Sequence, residues 1–175
     1  MAANDNACTH HPDQLLGEDS GETFIESLPF ASQFAIWAAR AWVTALKLEQ
    51  PFETVSGNTF RKLDLLPAEQ ALDSLFMIVA GSATRQIDIR CLKCRHVSPD
   101  EMIFHQALSA AQHGESFVAY NALREWMPPT AARIGFTSLA TLAASLAQAD
   151  LRLAPRAQPQ NEIMHQHAMP SLAVH

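Results

Sequence analysis

Residues 98–114 read SPDEMIFHQALSAAQHG, and the way this run begins decides how the chain is built. Ser98 is placed to cap a helix and Pro99 suits its first position. Glu101 completes a capping box with Ser98, while Asp100 and Glu101 favour the positive end of the helix dipole. Phe104, Leu108 and Ala111 then recur at helical spacing until Gly114 ends the run. The two carboxylates are structural in the first instance. Helical spacing also brings them near His105 as an acid–base set, but no nucleophile or second catalytic element accompanies them.

Downstream, a second helix starts near Glu115 with Phe117, Tyr120, Leu123 and Trp126 on its apolar positions, and so short a turn at Gly114 forces an antiparallel hairpin. Met127-Pro128-Pro129 ends it. A brief helical turn is expected over residues 130–134, and a separate helix over 136–150 with Leu139, Leu142, Ala143 and Leu146 inward. The unit of helix, Gly turn and helix ending in Trp126 and proline resembles one unit of a tetratricopeptide array. It occurs once, without a repeat, so the resemblance implies no array function.

Upstream lies RQIDIRCLKCRHV, residues 85–97, which joins this helical part to what precedes it. Ile87, Ile89 and Cys91 alternate with Asp88 and Arg90, which predicts an extended segment with Cys91 on the apolar face as a small core residue. Cys91-Leu92-Lys93-Cys94 is a C-x-x-C pair that can offer two sulfurs to one metal ion or exchange a disulfide. A structural zinc site needs four ligands. Cys8 from a folded-back N-terminal arm and His96 are the nearest candidates to complete it, with His10, His11 and His105 behind them. Zinc is the cofactor this set would take, with iron as the alternative. A redox role has its own rationale, since Arg90, Lys93, Arg95 and a following helix start all favour thiolate. The strand–helix–strand alternation of a thioredoxin-like dithiol is missing, and Arg95 stands where a haem-attachment motif needs histidine.

Further towards the N-terminus, Ser27 and Pro29 start a long amphipathic helix in which Phe30, Phe34, Trp37, Ala41, Ala45 and Leu48 recur until Pro51. Arg40 near its middle argues against a membrane span. Ile36 and Trp42 widen the stripe beyond what one neighbour covers. Residues 52–66 read as a connection turning at Ser56-Gly57-Asn58 and anchored by Phe60, Leu63, Leu65 and Leu66. Pro67 opens the next helix. Leu72, Leu75, Phe76 and Val79 line one face, and Met77 and Ile78 make it apolar nearly all round, so it is expected to be the most buried.

These patterns specify an all-α fold, a single-domain bundle of about five helices with disordered N- and C-terminal tails. The expected divisions are a flexible arm over residues 1–21 and a helical domain over 22–154, followed by a Pro-, Gln- and His-containing tail over 155–175. Within the domain, a helix pair (22–84), the C-x-x-C joint (85–98) and C-terminal helices (99–154) follow one another. In the tail, Met164, His165, His167, Met169 and His175 are adventitious copper or nickel ligands. A net charge of -6 with only 12 Lys and Arg excludes a general nucleic-acid or anionic-membrane binder. Three cysteines without an apolar leader suit a reducing compartment, and the expected location is cytoplasmic. The expected function is that of a non-catalytic helical adaptor or regulatory protein with a protein partner, contacted through the stripes around Trp37, Trp42 and Trp126. Self-association into a homo-oligomer is compatible with the same stripes. A metal-dependent structural or sensing module and a thiol-redox protein are the two alternatives.

Overall fold

The computed structural model describes residues 23–155. The expected arm, and all but the first residue of the expected tail, lie outside that range, as do Cys8 and the His/Met ligands near the C-terminus. The described part is all-helical: α1 (Phe30–Lys47), α2 (Phe52–Ser56), α3 (Thr59–Lys62), α4 (Leu66–Ser82), α5 (Pro99–Gln112), α6 (Ser116–Arg124) and α7 (Pro129–Gln148). Five of these run to seven residues or more. Its β pairing among the described residues is one isolated antiparallel bridge between Phe24 and His96.

Each helix begins where local chemistry permits. Ser98 and Glu101 form the reciprocal capping box that opens α5. Pro67 sits in the first turn of α4 and Pro129 in that of α7. Ser27 behaves differently from its reading as a cap: its hydroxyl closes the short turn Ile25–Ser27 on the Phe24 carbonyl, and α1 starts only after Pro29. The residue before a proline is driven out of the helical region, and Leu28 is extended accordingly (ψ 151°). Gly57 (φ 62°) and Asn58 (φ 60°) both turn left-handed between α2 and α3, a conformation that Gly and Asn tolerate best. Phe60 and Leu65 are anchored in the core as expected, but Leu63, at the end of α3, and Leu66, at the start of α4, remain exposed.

Helix α1, rather than α4, is the most deeply buried. Twelve of its 18 residues are buried, among them six alanines, which let neighbours approach closely. In α4 the apolar Met77 is 57% exposed, so its all-round hydrophobicity is not matched by packing on all sides. The most extensive contact between helices is α4 against α7, followed by α5 against α6. The N- and C-terminal halves are therefore one interlocked core and not two units meeting at a joint. Helix α7 is continuous where a short turn and a separate helix were expected. Gly135 falls between the two expected pieces, and a Cβ there would lie 3.4 Å from Leu75 Cδ1 and 3.6 Å from Met127 Sδ. The glycine marks a close approach of α7 to its neighbours and not a break.

Edge-on and tilted aromatic pairs tie the layers together. Phe60 sits against Phe34 at 5.4 Å and Phe52 at 5.6 Å, while Phe76 sits at 5.4 Å from both Trp42 and Phe104.

Candidate functional site

Residues 85–98 carry little regular structure, so their backbone groups must find partners elsewhere. They find them in the two carboxylates that open α5. Glu101, fully buried, accepts from Arg40 Nε at 2.7 Å and Nη2 at 2.8 Å, and from the backbone N–H groups of Arg90 at 3.0 Å and Ser98 at 2.9 Å. Asp100 accepts from Arg85 Nη2 at 2.5 Å and Nη1 at 3.0 Å, from the Asp88 N–H at 2.8 Å and from Trp126 Nε1 at 3.0 Å. Two adjacent carboxylates thus each hold an arginine fork and an amide of the extended segment. Amides two residues apart in an extended chain point the same way, which is why Asp88 and Arg90 reach the same helix end.

The guanidinium of Arg40 completes the corner. Beyond Glu101 it donates to the Cys94 carbonyl through Nη1 at 2.5 Å and to the His96 carbonyl through Nη2 at 2.8 Å. Only 1% of Arg40 is exposed, so a charge in the middle of the most buried helix is balanced by a carboxylate and two carbonyls. Burial pushes the Asp100 carboxyl upward, and the donors Arg85, Asp88 N–H and Trp126 outweigh it, leaving the group below the ordinary carboxylate range. Ser98 adds a hydroxyl bond to the Asp88 carbonyl. Arg90 Nε lies 3.1 Å from Asp88 Oδ2, an ion contact that falls short of hydrogen-bond geometry. Every oxygen of the Asp100 and Glu101 carboxylates is taken by a structural donor.

The cysteines lie in this corner but not as the alternation predicted. Cys94 is buried and Cys91 half-buried, with the Cys94 N–H on the Cys91 carbonyl at 3.1 Å and neither thiol in a disulfide. The face of Ile87 and Ile89 stops before Cys91, because the chain turns there. His96 turns its ring onto Phe24, centroids 4.7 Å apart. Among the described residues no three His, Cys, Asp or Glu side chains form a group that could hold a metal ion. Cys8, the third sulfur considered, lies outside them. His105 is separated from Asp100 and Glu101 in function as well: its Nε2 meets Ser32 Oγ at 2.8 Å, and burial holds its imidazole below the ordinary range. Ser32 is itself buried, while His105 is half-buried.

The three tryptophans expected to face a partner divide sharply. Trp126 is fully buried with its indole N–H on Asp100, and Trp42 is buried with its N–H on Asp73 Oδ1 at 2.7 Å. Trp37 alone reaches the surface, half-buried on α1. It lines an apolar groove of about 610 Å³ with Ile25, Phe30 and Phe34 on one wall and Leu63 and Lys62 on the other. Phe30, Phe34 and Trp37 are spaced at i, i+4 and i+7, so they share one face of α1, and Trp37 stacks on Phe60 at 6.2 Å. Phe30 is 67% exposed and Leu63 45%, and both edge the same concavity. Sequence reasoning missed Phe30 and Leu63, taking the first as one of a core stripe and the second as an anchor.

A second hollow of about 460 Å³ separates the C-terminal half of α1 from α2 and α4. Two of its acidic side chains are engaged internally: Asp73 on the Trp42 indole, and Glu69 Oε1 on Ser56 Oγ at 2.9 Å. The groove beside Trp37, lined mainly by apolar and aromatic side chains, is the better candidate for an apolar partner segment. No family model, curated protein or solved structure matches the chain, and the helical hairpin of α5 and α6 belongs to no matched array. No helix among the described residues is long and apolar enough to cross a membrane.

Proposed function

We propose that the protein is a non-catalytic helical adaptor or regulatory protein that acts by protein–protein contact, receiving an apolar segment of its partner in the groove between α1 and α3. One observation carries this reading: large apolar side chains, Phe30, Trp37 and Leu63, converge on one concavity while remaining partly or largely exposed. Packed cores do not leave a phenylalanine in that state beside a ready-made hollow without reason, whereas singly exposed residues such as Phe117 on α6 need no explanation. Lys62 on the rim favours a partner segment whose apolar residues are flanked by carboxylates.

The test uses the full chain as bait in extract of its native host, beside a Phe30→Asp/Leu63→Asp variant. The wild type is expected to retain specific partners that the variant loses, with the urea midpoint of the variant close to wild type because both residues are exposed. Equal recovery of the same partners by both proteins overturns the proposal.

A further inference from the structure

The point at which residues 1–22 join the described chain is held in place. The Ile25 N–H donates to the Arg95 carbonyl at 2.8 Å and the Val97 N–H to the Thr23 carbonyl at 2.9 Å, so Thr23 and Ile25 are clamped to the corner loop. Arg95 adds an ion pair with Glu26 at 2.9 Å. Two residues beyond the clamp's start, Ile25 is already part of the groove wall. Whatever precedes Thr23 therefore leaves from the edge of the groove.

The composition of that segment matches what it would meet. Residues 1–22 contain Asp5, Asp13, Glu18, Asp19 and Glu22 and no Lys or Arg, in a chain whose whole net charge is -6. Their only Leu, Ile, Val or aromatic residues are the adjacent pair Leu15 and Leu16. The groove offers an apolar floor of Phe34 and Trp37, and Lys62 on its rim makes no ion pair among the described residues. Reach is ample: the nine residues from Leu16 to Ile25 span up to about 30 Å, whereas Phe30 and Trp37 are only about 10 Å apart along α1. Residues 156–175 fit less well, since they carry one Glu and one Arg and no acidic cluster.

We infer that residues 13–19, reading DQLLGED, occupy the α1–α3 groove of their own chain, with Leu15 and Leu16 on Phe30, Trp37 and Leu63 and with Glu18 and Asp19 facing Lys62. The segment then acts as a tethered competitor. A tether this short gives an effective concentration in the millimolar range, so even a weak contact keeps the groove covered until a partner with a better-fitting segment displaces it. This deepens the docking role proposed above and names the groove's resting occupant.

The experiment replaces Leu16 by the photo-cross-linking residue p-benzoylphenylalanine in the full chain. Irradiation of dilute protein is expected to give a product of monomer mass in which position 16 is joined to the peptides bearing Phe30, Trp37 or Leu63. In parallel, Leu15→Asp/Leu16→Asp is expected to raise the fluorescence of added 8-anilino-1-naphthalenesulfonate several-fold, and adding Phe30→Asp/Leu63→Asp should cancel the rise. Neither leucine belongs to the buried core of the described residues, which the first variant therefore leaves intact. A cross-link to any other surface, a product of dimer mass from a second copy in the groove, or unchanged dye fluorescence overturns the inference. Partner capture read separately distinguishes the two ideas: captured partners without the internal cross-link leave the docking role standing and remove its resting occupant.

Discussion

The corner at residues 85–101 and the groove along α1 are made from opposite materials. In the corner, two arginines, two carboxylates and the backbone of an extended segment satisfy one another almost completely, and Arg40 and Glu101 are sealed from solvent. In the groove, apolar side chains face outward around a hollow, and the one charge on its rim has no ion-pair partner among the described residues. Polar groups that are mutually saturated hold the corner together, and apolar groups left partly exposed line the groove.

The sharpest way to break that contrast is Glu101→Gln. A neutral amide leaves the Arg40 charge buried without its counter-ion and turns a donor group towards the N–H groups of Arg90 or Ser98. The expected loss is about 3–5 kcal/mol in urea unfolding. Replacing Arg40 and Glu101 together by apolar residues should not restore stability, because the two backbone amides lose their acceptor as well. A small loss in the double variant would mean that the corner is an ordinary ion pair.

Ser98→Ala should cost about 1 kcal/mol, up to about 2, by removing the cap of α5. Its hydroxyl also donates to the Asp88 carbonyl, so Thr at this position is expected to recover most of the loss. Differential scanning calorimetry at one pH compares the three proteins.

A gentler probe is pH. His105 is held below the imidazole value of 6.5 by burial, so the unfolded chain takes up its proton first as pH falls. The stability it contributes is present above that value and erodes as pH drops below it. Asp100 is held below the carboxylate value of 3.8, so its contribution is present above that value and is lost as pH falls further, through its folded value. The urea midpoint should therefore rise from acid to neutral in two stages, the upper one absent in His105→Gln and the lower one absent in Asp100→Asn. A single stage unchanged in both variants would contradict the assignment.

The smallest effect is expected in the groove. Phe30→Ser should change stability by no more than about 0.5 kcal/mol, since so exposed a ring contributes little to the core. A loss of about 3 kcal/mol, the size typical of a buried phenylalanine, would mean that the ring is part of the core.

How much of this was legible depended on sequence distance. The capping box of Ser98 and Glu101 was readable because its partners are three residues apart, and the Gly114 turn and the start of α4 at Pro67 were readable for the same reason. Arg40 was noticed only as an obstacle to a membrane span, because its partner Glu101 is 61 residues away and helical periodicity carries no information about such pairs. Trp126 was assigned to a surface since an aromatic stripe looks alike whether it meets core or solvent; the Asp100 bond that fixes it is tertiary. The α7 helix was misread as two pieces because Gly135 looked like a break, whereas the helix starts at Pro129 and runs through the glycine, which packs closely on Leu75 and Met127. The groove depended on how α3 turns Leu63 outward beside Phe30, a matter of orientation that no spacing rule records.

The Arg40 fork also sets an order of events. The carbonyls of Cys94 and His96 find their side-chain donor only once Arg40 of α1 lies against α5, whereas the amides of Arg90 and Ser98 are already within reach of Glu101 on α5 itself. Helices joined by short turns, such as α5 and α6, can pair beforehand. The turn at residues 94–96 should then close late in folding, and the destabilisation from Arg40→Leu should surface mainly as faster unfolding with refolding almost unchanged. Stopped-flow refolding that slows in proportion to the lost stability would place the corner in the nucleus instead. As Thr23 and Ile25 are clamped to that same loop, a late corner means that this clamp too forms only as the molecule finishes folding.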